Sequence, residues 1–253
     1  AIAATCAVAF WLLVWHVVSL CVGSELVLVS PVKVVQTLFT VIFDPDFLKT
    51  VWYSAARILG GFFTALTLGT VLGWVASRFW VVETLLRPIT AVIKATPVAS
   101  FIILVLLWFS GKNLSVIISM LMVFPVIYMN VLEGIRSADE KLLEMAQVFR
   151  LSVGKKLLYI YLPAVAPFFV SACSVSLGLC WKSGIAAEVI GTPDGSIGAV
   201  FYQAKIFLQT SELLAWTVVV VAVSVAFEKL FMLLLRLVLK KLKMEDVLNG
   251  KRA

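Results

Sequence analysis

The sequence predicts an all-α integral membrane protein, because its composition, its hydropathy and the length of its apolar runs all favour that class. Of the 253 residues, 62% are hydrophobic and 14% are charged, and the mean hydropathy is +1.07. Soluble domains are usually about 45–50% apolar and about 25% charged. Runs of about 20 apolar residues suit helices that cross about 30 Å of hydrocarbon, whereas barrel strands alternate over about ten residues.

Six apolar runs are predicted to span the membrane within a single transmembrane domain, 1–253. The first run is expected to be a spanning helix and not a signal peptide, because it is too long and lacks a basic segment before it. Because the sequence begins with Ala1 and not methionine, further N-terminal residues are expected to be missing. The predicted spans are about 1–22, 54–77, 88–109, 114–134, 161–182 and 212–238.

Lysine and arginine are distributed unequally over the segments between these spans. With a cytoplasmic N-terminus, thirteen basic residues fall on the cytoplasmic side and four on the outer side. Cytoplasmic loops carry the excess of Lys and Arg, so both termini are expected in the cytoplasm. The thirteen are Arg78, Arg87, Arg136, Lys141, Arg150, Lys155, Lys156, Arg236, Lys240, Lys241, Lys243, Lys251 and Arg252, and the four are Lys33, Lys49, Lys112 and Lys205.

Two outer segments have features of their own. In the segment 23–53, Ser30 and Pro31 predict the start of a short interfacial helix, and Asp46 is placed to cap the next helix. The segment 183–211 has a short apolar stretch followed by turn-forming residues. Such a stretch is too short to span, and both a re-entrant segment and a surface loop fit it.

Ionisable residues inside or at the ends of spans are candidates for a substrate path. Lys182 and Glu188 are the first candidates, possible as a pair, although a lysine near a helix end can also extend to the interface. Lys94 precedes a Thr-Pro pair that is expected to kink its helix. Arg57 and Lys229 lie close enough to helix ends to reach the interface as well.

No pattern in the sequence predicts catalysis on this chain. It lacks a phosphate-binding GxxxxGK[ST] motif, has one histidine, His16, and shows no cluster of acids at ligand spacing. The four cysteines lie in apolar runs and form no CxxC pair, which favours packing over a metal or redox role. We therefore expect no enzymatic activity, no metal and no nucleic-acid binding, and we expect energy to come from a partner.

A polar segment, 144–163, interrupts this apolar sequence. Asp139 and Ser152 are placed to cap two short helices that meet near residues 150–152, and Pro163 precedes the fifth span. A solvated loop is the alternative, but it would not need so many apolar residues among its charges. The pattern favours docking of a cytoplasmic partner.

The spacing inside this segment carries a specific resemblance. Glu144-Met145-Ala146 is followed after three residues by Arg150, and after nine more by Ile160-Tyr161-Leu162-Pro163. This resembles the EAA loop of type I ABC importer permeases, which reads E-A-A, three residues, Gly, nine residues, I-x-L-P. Met145 replaces an alanine, and Arg150 replaces the glycine that makes the turn in the family.

The resemblance extends over about residues 30–240 and is strongest to the nitrate, sulfonate, taurine and bicarbonate branch of these permeases. The stretches that carry it are Leu107-Trp108-Phe109, Gly134-Ile135-Arg136-Ser137, Gly178 to Trp181, and Ala186-Ala187-Glu188-Val189-Ile190-Gly191.

The resemblance implies a six-helix permease fold in a bacterial inner membrane, with a cytoplasmic coupling segment, 136–160. It implies a pore-forming subunit that imports a small solute. The positive charge of Lys182 favours an anion, such as a sulfonate, taurine or nitrate. A thiamine-precursor-like or other small organic solute, and a channel that needs no ATPase, stay open as alternatives.

The implied partners are two cytoplasmic ABC ATPase subunits that carry ATP and Mg, an extracytoplasmic substrate-binding protein, a second copy of the permease and the lipid bilayer. Ala146 and Phe149 would pack into the ATPase. The residues that the motif places in ATPase docking are Glu144, Ala146, Phe149, Arg150, Gly154, Ile160, Leu162 and Pro163, and the substrate-path candidates are Lys182, Glu188, Lys94 and Arg57.

Overall fold

The computed structural model describes residues 2–24 and 26–242, with side chains from residue 5 onward, and these residues confirm the all-α prediction because they contain helices and no strand. The helices are α1 (Ile2–Val22), α2 (Pro31–Ile42), α3 (Phe47–Arg78), α4 (Trp80–Ala95), α5 (Val98–Trp108), α6 (Gly111–Arg136), α7 (Glu140–Val148), α8 (Val153–Lys156), α9 (Leu162–Gly191), α10 (Ile197–Ile206) and α11 (Thr210–Lys241), with a π-helical turn at Leu157–Tyr161 between α8 and α9.

Three long helices, α3, α6 and α9, form the centre of the fold. Their buried side chains make one apolar cluster that includes Phe62, Ile127 and Leu177. Gly69 and Gly73 of α3 lie against α6, where an added Cβ would come within 3.0 Å of Ile127 and Val131 respectively. Small residues allow such close approach of helices in lipid, so this GxxxG pair serves packing inside the bundle.

The predicted third span, 88–109, is not one straight helix. Only Phe79 separates α3 from α4, and α4 and α5 meet at an angle of 110° at the Thr96-Pro97 step. The expected interruption at Pro97 is confirmed, because proline removes a backbone donor and restricts the residue before it. The expected loop before residue 88 is helical instead, since the apolar face of α4 packs on α6 through residues such as Val82.

The number of spans agrees with six if the bent pair counts as one. In the described residues, five helices are long and apolar enough to cross a membrane, and α4 with α5 supplies the sixth candidate. Helix α9 runs nine residues past the predicted end of the fifth span at residue 182. The apolar stretch of the segment 183–211 therefore continues the spanning helix, and the turn falls at residues 192–196.

The outer elements pack on the last helix. The predicted start of α2 is confirmed, because the Ser30 hydroxyl accepts a hydrogen bond from the Lys33 backbone N–H at 3.4 Å. Asp46 occupies the N-cap position of α3, but its side chain makes no capping bond, and the Asp44 carboxylate instead accepts from the Asp46 N–H. Helices α2, α10 and α11 share an apolar cluster around Trp216.

The adjacent glycines Gly60 and Gly61 provide a matched test of the α3–α6 contact. An added Cβ at Gly61 would lie 2.8 Å from the Ser119 Cβ and would collide with the Val116 carbonyl oxygen, whereas Gly60 has open space. We expect Gly61→Ala to lower the free energy of unfolding by about 1–3 kcal/mol through overpacking. Gly60→Ala should leave it unchanged or raise it by up to about 1 kcal/mol. Thermal unfolding in detergent measures both, and equal effects would contradict the close contact.

Candidate functional site

The coupling segment begins with a capped helix. The Asp139 carboxylate accepts a hydrogen bond from the Lys141 backbone N–H at 2.9 Å, which satisfies one of the free donors at the start of α7 and confirms the predicted cap. Ser152 takes the N-cap position of α8, but its side chain makes no capping bond. The two predicted short helices are therefore present on either side of residues 149–152.

The corner between α7 and α8 keeps a left-handed residue although the motif glycine is absent. Arg150 has φ +45°. The Arg150 N–H donates to the Gln147 carbonyl oxygen at 3.0 Å, and the Leu151 N–H donates to the Ala146 carbonyl oxygen at 2.9 Å. These two bonds define a Schellman motif, in which the left-handed position usually holds glycine. The surrounding contacts thus hold Arg150 in a conformation that L-residues rarely adopt.

The inner face of the coupling segment is packed on the segment itself. Ala138, Ala146 and Ile160 are buried in one small cluster, which Leu143 and Leu151 border. Ala146 has no exposed surface. Ala146 therefore faces the interior of the segment in this structure, because the helical period of α7 turns residues 143 and 146 inward together, and its contact with a partner stays a prediction. Ala146 and Ile160 hold the segment together.

The outer face of the segment is exposed and apolar near the corner. Val148 is 79% exposed and Phe149 is 72% exposed. Glu144 and Arg150 flank them and are also exposed. Exposed large side chains of this kind, rimmed by charges, mark contact surfaces in soluble parts of proteins. The remaining motif positions, Gly154, Leu162 and Pro163, lie in α8 and at the start of α9, with Gly154 and Leu162 exposed and Pro163 half-buried.

Glu188 lies in the interior and ties three helices together. Its carboxylate accepts hydrogen bonds from the Ser54 hydroxyl at 2.7 Å and from the Gly198 backbone N–H at 3.4 Å. The Ser54 hydroxyl in turn accepts from the Ile197 N–H at 2.9 Å. Ser54 and Glu188 thereby satisfy two free donors at the start of α10. Position 198 must be glycine for this approach, because an added Cβ would collide with the Glu188 backbone.

Lys182 and Glu188 do not form the pair that the sequence suggested. Lys182 is exposed on α9 and makes no ion pair with any residue in the described ranges, while Glu188 has no exposed surface. Arg57 is half-buried and donates to the Tyr53 hydroxyl at 3.0 Å and to the Asn113 side-chain oxygen at 3.2 Å. It therefore joins α3 to the start of α6. Lys182 therefore does not converge with Glu188 on one site.

Lys94 is the candidate that faces a cavity. It lines a space of about 330 Å³ between α4, α6 and α9, together with Met129, Asn130, Glu133 and Phe168. The Lys94 ammonium lies 3.5 Å from the Met129 sulfur and forms no ion pair with Glu133. Asn130 and Glu133 were not singled out from the sequence. Glu133 follows Met129 and Asn130 by one helical turn on α6, and this spacing was the available indication.

A bundle of long apolar helices with an exposed, capped segment between two of them defines a multi-span membrane protein. Residues 65–244 match the family of binding-protein-dependent transport system inner membrane components. The match covers more than half of the chain, so the chain belongs to this family of ABC importer permeases. The prediction of a permease subunit is thereby confirmed.

Several curated relatives are permeases of the branch that the sequence resembles. The chain is 30% identical to the putative aliphatic sulfonates transport permease SsuC of Bacillus subtilis, over 90% of this chain and 83% of the relative. It is 27% identical to the taurine transport permease TauC of Escherichia coli, over 85% and 80%. It is 25% identical to the nitrate import permease NrtB of Synechococcus elongatus, over 81% and 84%.

A solved structure agrees in fold. A crystal structure titled as an amino acid ABC transporter with histidines superposes with a TM-score of 0.54, covering 77% of this chain and 96% of that chain at 16% identity. At this identity the likeness shows the fold alone. Together with the family, it places the chain among multi-pass inner-membrane permeases. Among the described residues, no group of His, Cys, Asp or Glu could hold a metal ion.

The variant Arg150→Gly tests whether the left-handed conformation at the corner costs free energy when residue 150 is an arginine. We expect the free energy of unfolding to stay unchanged or to rise by up to about 1 kcal/mol, because glycine removes the cost of the left-handed conformation. The control is Ser152→Gly, at φ −63° in the N-cap position of α8, where added backbone freedom should lower stability by a few tenths of a kcal/mol. Thermal unfolding compares the two variants. An equal loss in both would show that Arg150 is not strained.

Proposed function

We propose that the chain is the pore-forming permease of an ATP-driven importer for a small anion, with ATPase subunits docking on the coupling segment. The single observation that carries docking is the exposed apolar corner at Val148 and Phe149. A segment that served only as a solvent-exposed connection would have no reason to expose large apolar side chains such as those of Val148 and Phe149. Family membership supports the partners: a pair of ABC ATPases that hold ATP and Mg, a substrate-binding protein and a second permease copy.

The coupling segment has two faces, and this division suggests how movement of a docked partner would be transmitted to the spanning helices. The inner face, with Ala146 and Ile160, is packed as one unit with the start of α9. A partner that moved the outer face at Phe149 would therefore move the whole unit and not a loose loop. Both termini and this segment lie in the cytoplasm under this proposal, in agreement with the distribution of lysine and arginine.

An anionic solute is supported by relatives and by one side chain. The relatives are permeases named for aliphatic sulfonates, taurine and nitrate. Lys94 presents a positive charge to a cavity between spanning helices, which Glu133 also lines without pairing with it. Glu188 has a structural role in this proposal, because its carboxylate accepts hydrogen bonds from the Ser54 hydroxyl and from the Gly198 N–H of α10. Lys182 and Arg57 are left outside the path.

Phe149→Ser tests docking of the ATPase. We expect weaker capture of the cognate ATPase and at least about tenfold lower transport-coupled ATP hydrolysis, because a buried aromatic contact at an interface is worth about 2 kcal/mol or more. Phe207→Ser is the matched control, since Phe207 is 70% exposed and lies at the end of α10 near the opposite ends of the spans. Full ATPase capture by Phe149→Ser at normal expression would refute docking at this corner.

Lys94→Gln tests the path for the anion. We expect uptake of labelled taurine, an alkyl sulfonate or nitrate, whichever the wild-type system transports, to fall about tenfold or more at matched expression, because the charge in the cavity is lost. Lys182→Gln removes an exposed charge and should leave uptake close to wild type. Lys94→Arg keeps the charge and should retain part of the activity. Unchanged half-saturation and maximal rate in Lys94→Gln would exclude this path.

A further inference from the structure

An apolar groove lies beside the coupling segment, between α3, α6 and the π-helical turn. It encloses about 700 Å³, and its walls include Val71 and Trp74 of α3, Ile135 of α6, and Leu158 after α8. Apart from the Thr70 and Tyr161 side chains, the described lining is apolar. In a membrane, lipid chains fill such a groove without any selectivity, so the groove alone identifies no ligand.

A second cavity of about 390 Å³ continues from the groove toward the polar side. The two cavities share Trp74, Ile135, Leu157 and Tyr161 as common walls. The second one adds two basic side chains, Arg78 at the end of α3 and Lys156 at the end of α8, as well as polar ones. None of the described residues that line either cavity is acidic.

Both cations are available to a ligand. Across residues 2–24 and 26–242, neither Arg78 nor Lys156 forms an ion pair or a side-chain hydrogen bond. Arg136, also at the end of a spanning helix, differs because Glu83 pairs with it. Arg78 and Lys156 thus leave two positive charges beside the open end of a long apolar groove.

We propose that these joined cavities bind one anionic phospholipid, with an acyl chain in the groove and the headgroup phosphate between Arg78 and Lys156. An amphiphile with a negative head is the ligand whose two parts match the two cavities. Basic pockets between helices at the membrane surface bind such headgroups, and each cation near the surface adds about a few-fold in affinity. Trp74 and Tyr161 are the aromatic types enriched at this depth.

The site lies where a lipid would act on the coupling segment. Its walls include Leu157, Leu158 and Tyr161 of the π-helical turn, which joins α8 to α9. π-helical turns are frequent at functional positions. A bound lipid would pack against this joint and restrict its movement. The site rests on the proposed position of the segment at the membrane surface. Gly154 and Leu162, which the motif also places in docking, line the groove, whereas Phe149 lies outside both linings and can separate the two proposals.

The test is native mass spectrometry of the purified full-length chain, delipidated in detergent and titrated with phosphatidylglycerol or phosphatidylcholine of the same acyl chains. We expect the wild type to retain phosphatidylglycerol several-fold better. The double variant Arg78→Gln/Lys156→Gln should retain about tenfold less phosphatidylglycerol and unchanged phosphatidylcholine. The control Lys112→Gln/Lys205→Gln removes two exposed charges elsewhere and should behave as wild type.

A second variant tests the groove. An added Cβ at Gly154 meets open space, so Gly154→Leu should fold and narrow the groove, lowering retention of both lipids several-fold at an unchanged thermal midpoint. Equal binding of the two lipids by wild type, or full phosphatidylglycerol retention after loss of both cations, would overturn the proposal. If Gly154→Leu instead separated a dimer of the purified chain and left retention of both lipids unchanged, the groove would belong to a contact between two copies and the proposal would fail. Phe149→Ser should keep its lipid, which separates this site from docking.

Discussion

The close approach of α6 to its two neighbours is the contact on which the rest of the fold depends. Gly61 brings α3 against the α6 backbone, and Gly134 of α6 does the same for α9, with an added Cβ there only 2.9 Å from the Val165 Cα. Gly184 completes the contact between α9 and α3, near Ile58. Lipid supplies no hydrophobic force between helices, so dense packing through small residues has to hold them together.

Two polar contacts attach the outlying helices to opposite ends of this three-helix centre. Glu188 and Ser54 satisfy the first donors of α10, and Glu83 of α4 pairs with Arg136 of α6. Hydrogen bonds to Oε2 replace part of the water around the buried Glu188 carboxylate, while Oε1 is buried without a hydrogen-bond partner among the described residues. The contact therefore fixes the position of α10 closely.

The coupling segment shows how a motif can keep its geometry after losing its characteristic residue. The Schellman bonds and the small cluster around Ala146 determine the corner, and Arg150 adopts the left-handed conformation that the motif glycine would take at lower cost. The same cluster decides which motif residues face outward. The motif spacing predicts contact with a partner at positions 144, 146 and 149 alike. Packing, however, turns Ala146 inward and leaves Glu144 and Phe149 exposed.

The sequence alone determined the membrane class, the six apolar runs, the interruption at Pro97 and the caps at Ser30 and Asp139, because hydropathy and capping are local properties. It also determined the family, through spacing that packing does not alter. Only the tertiary structure decided the role of Glu188, the helical start of α4, the inward face of Ala146 and the cavity at Lys94. Those depend on partners far away along the chain, such as Ser54, 134 positions from Glu188, and no local pattern encodes which distant side chain arrives.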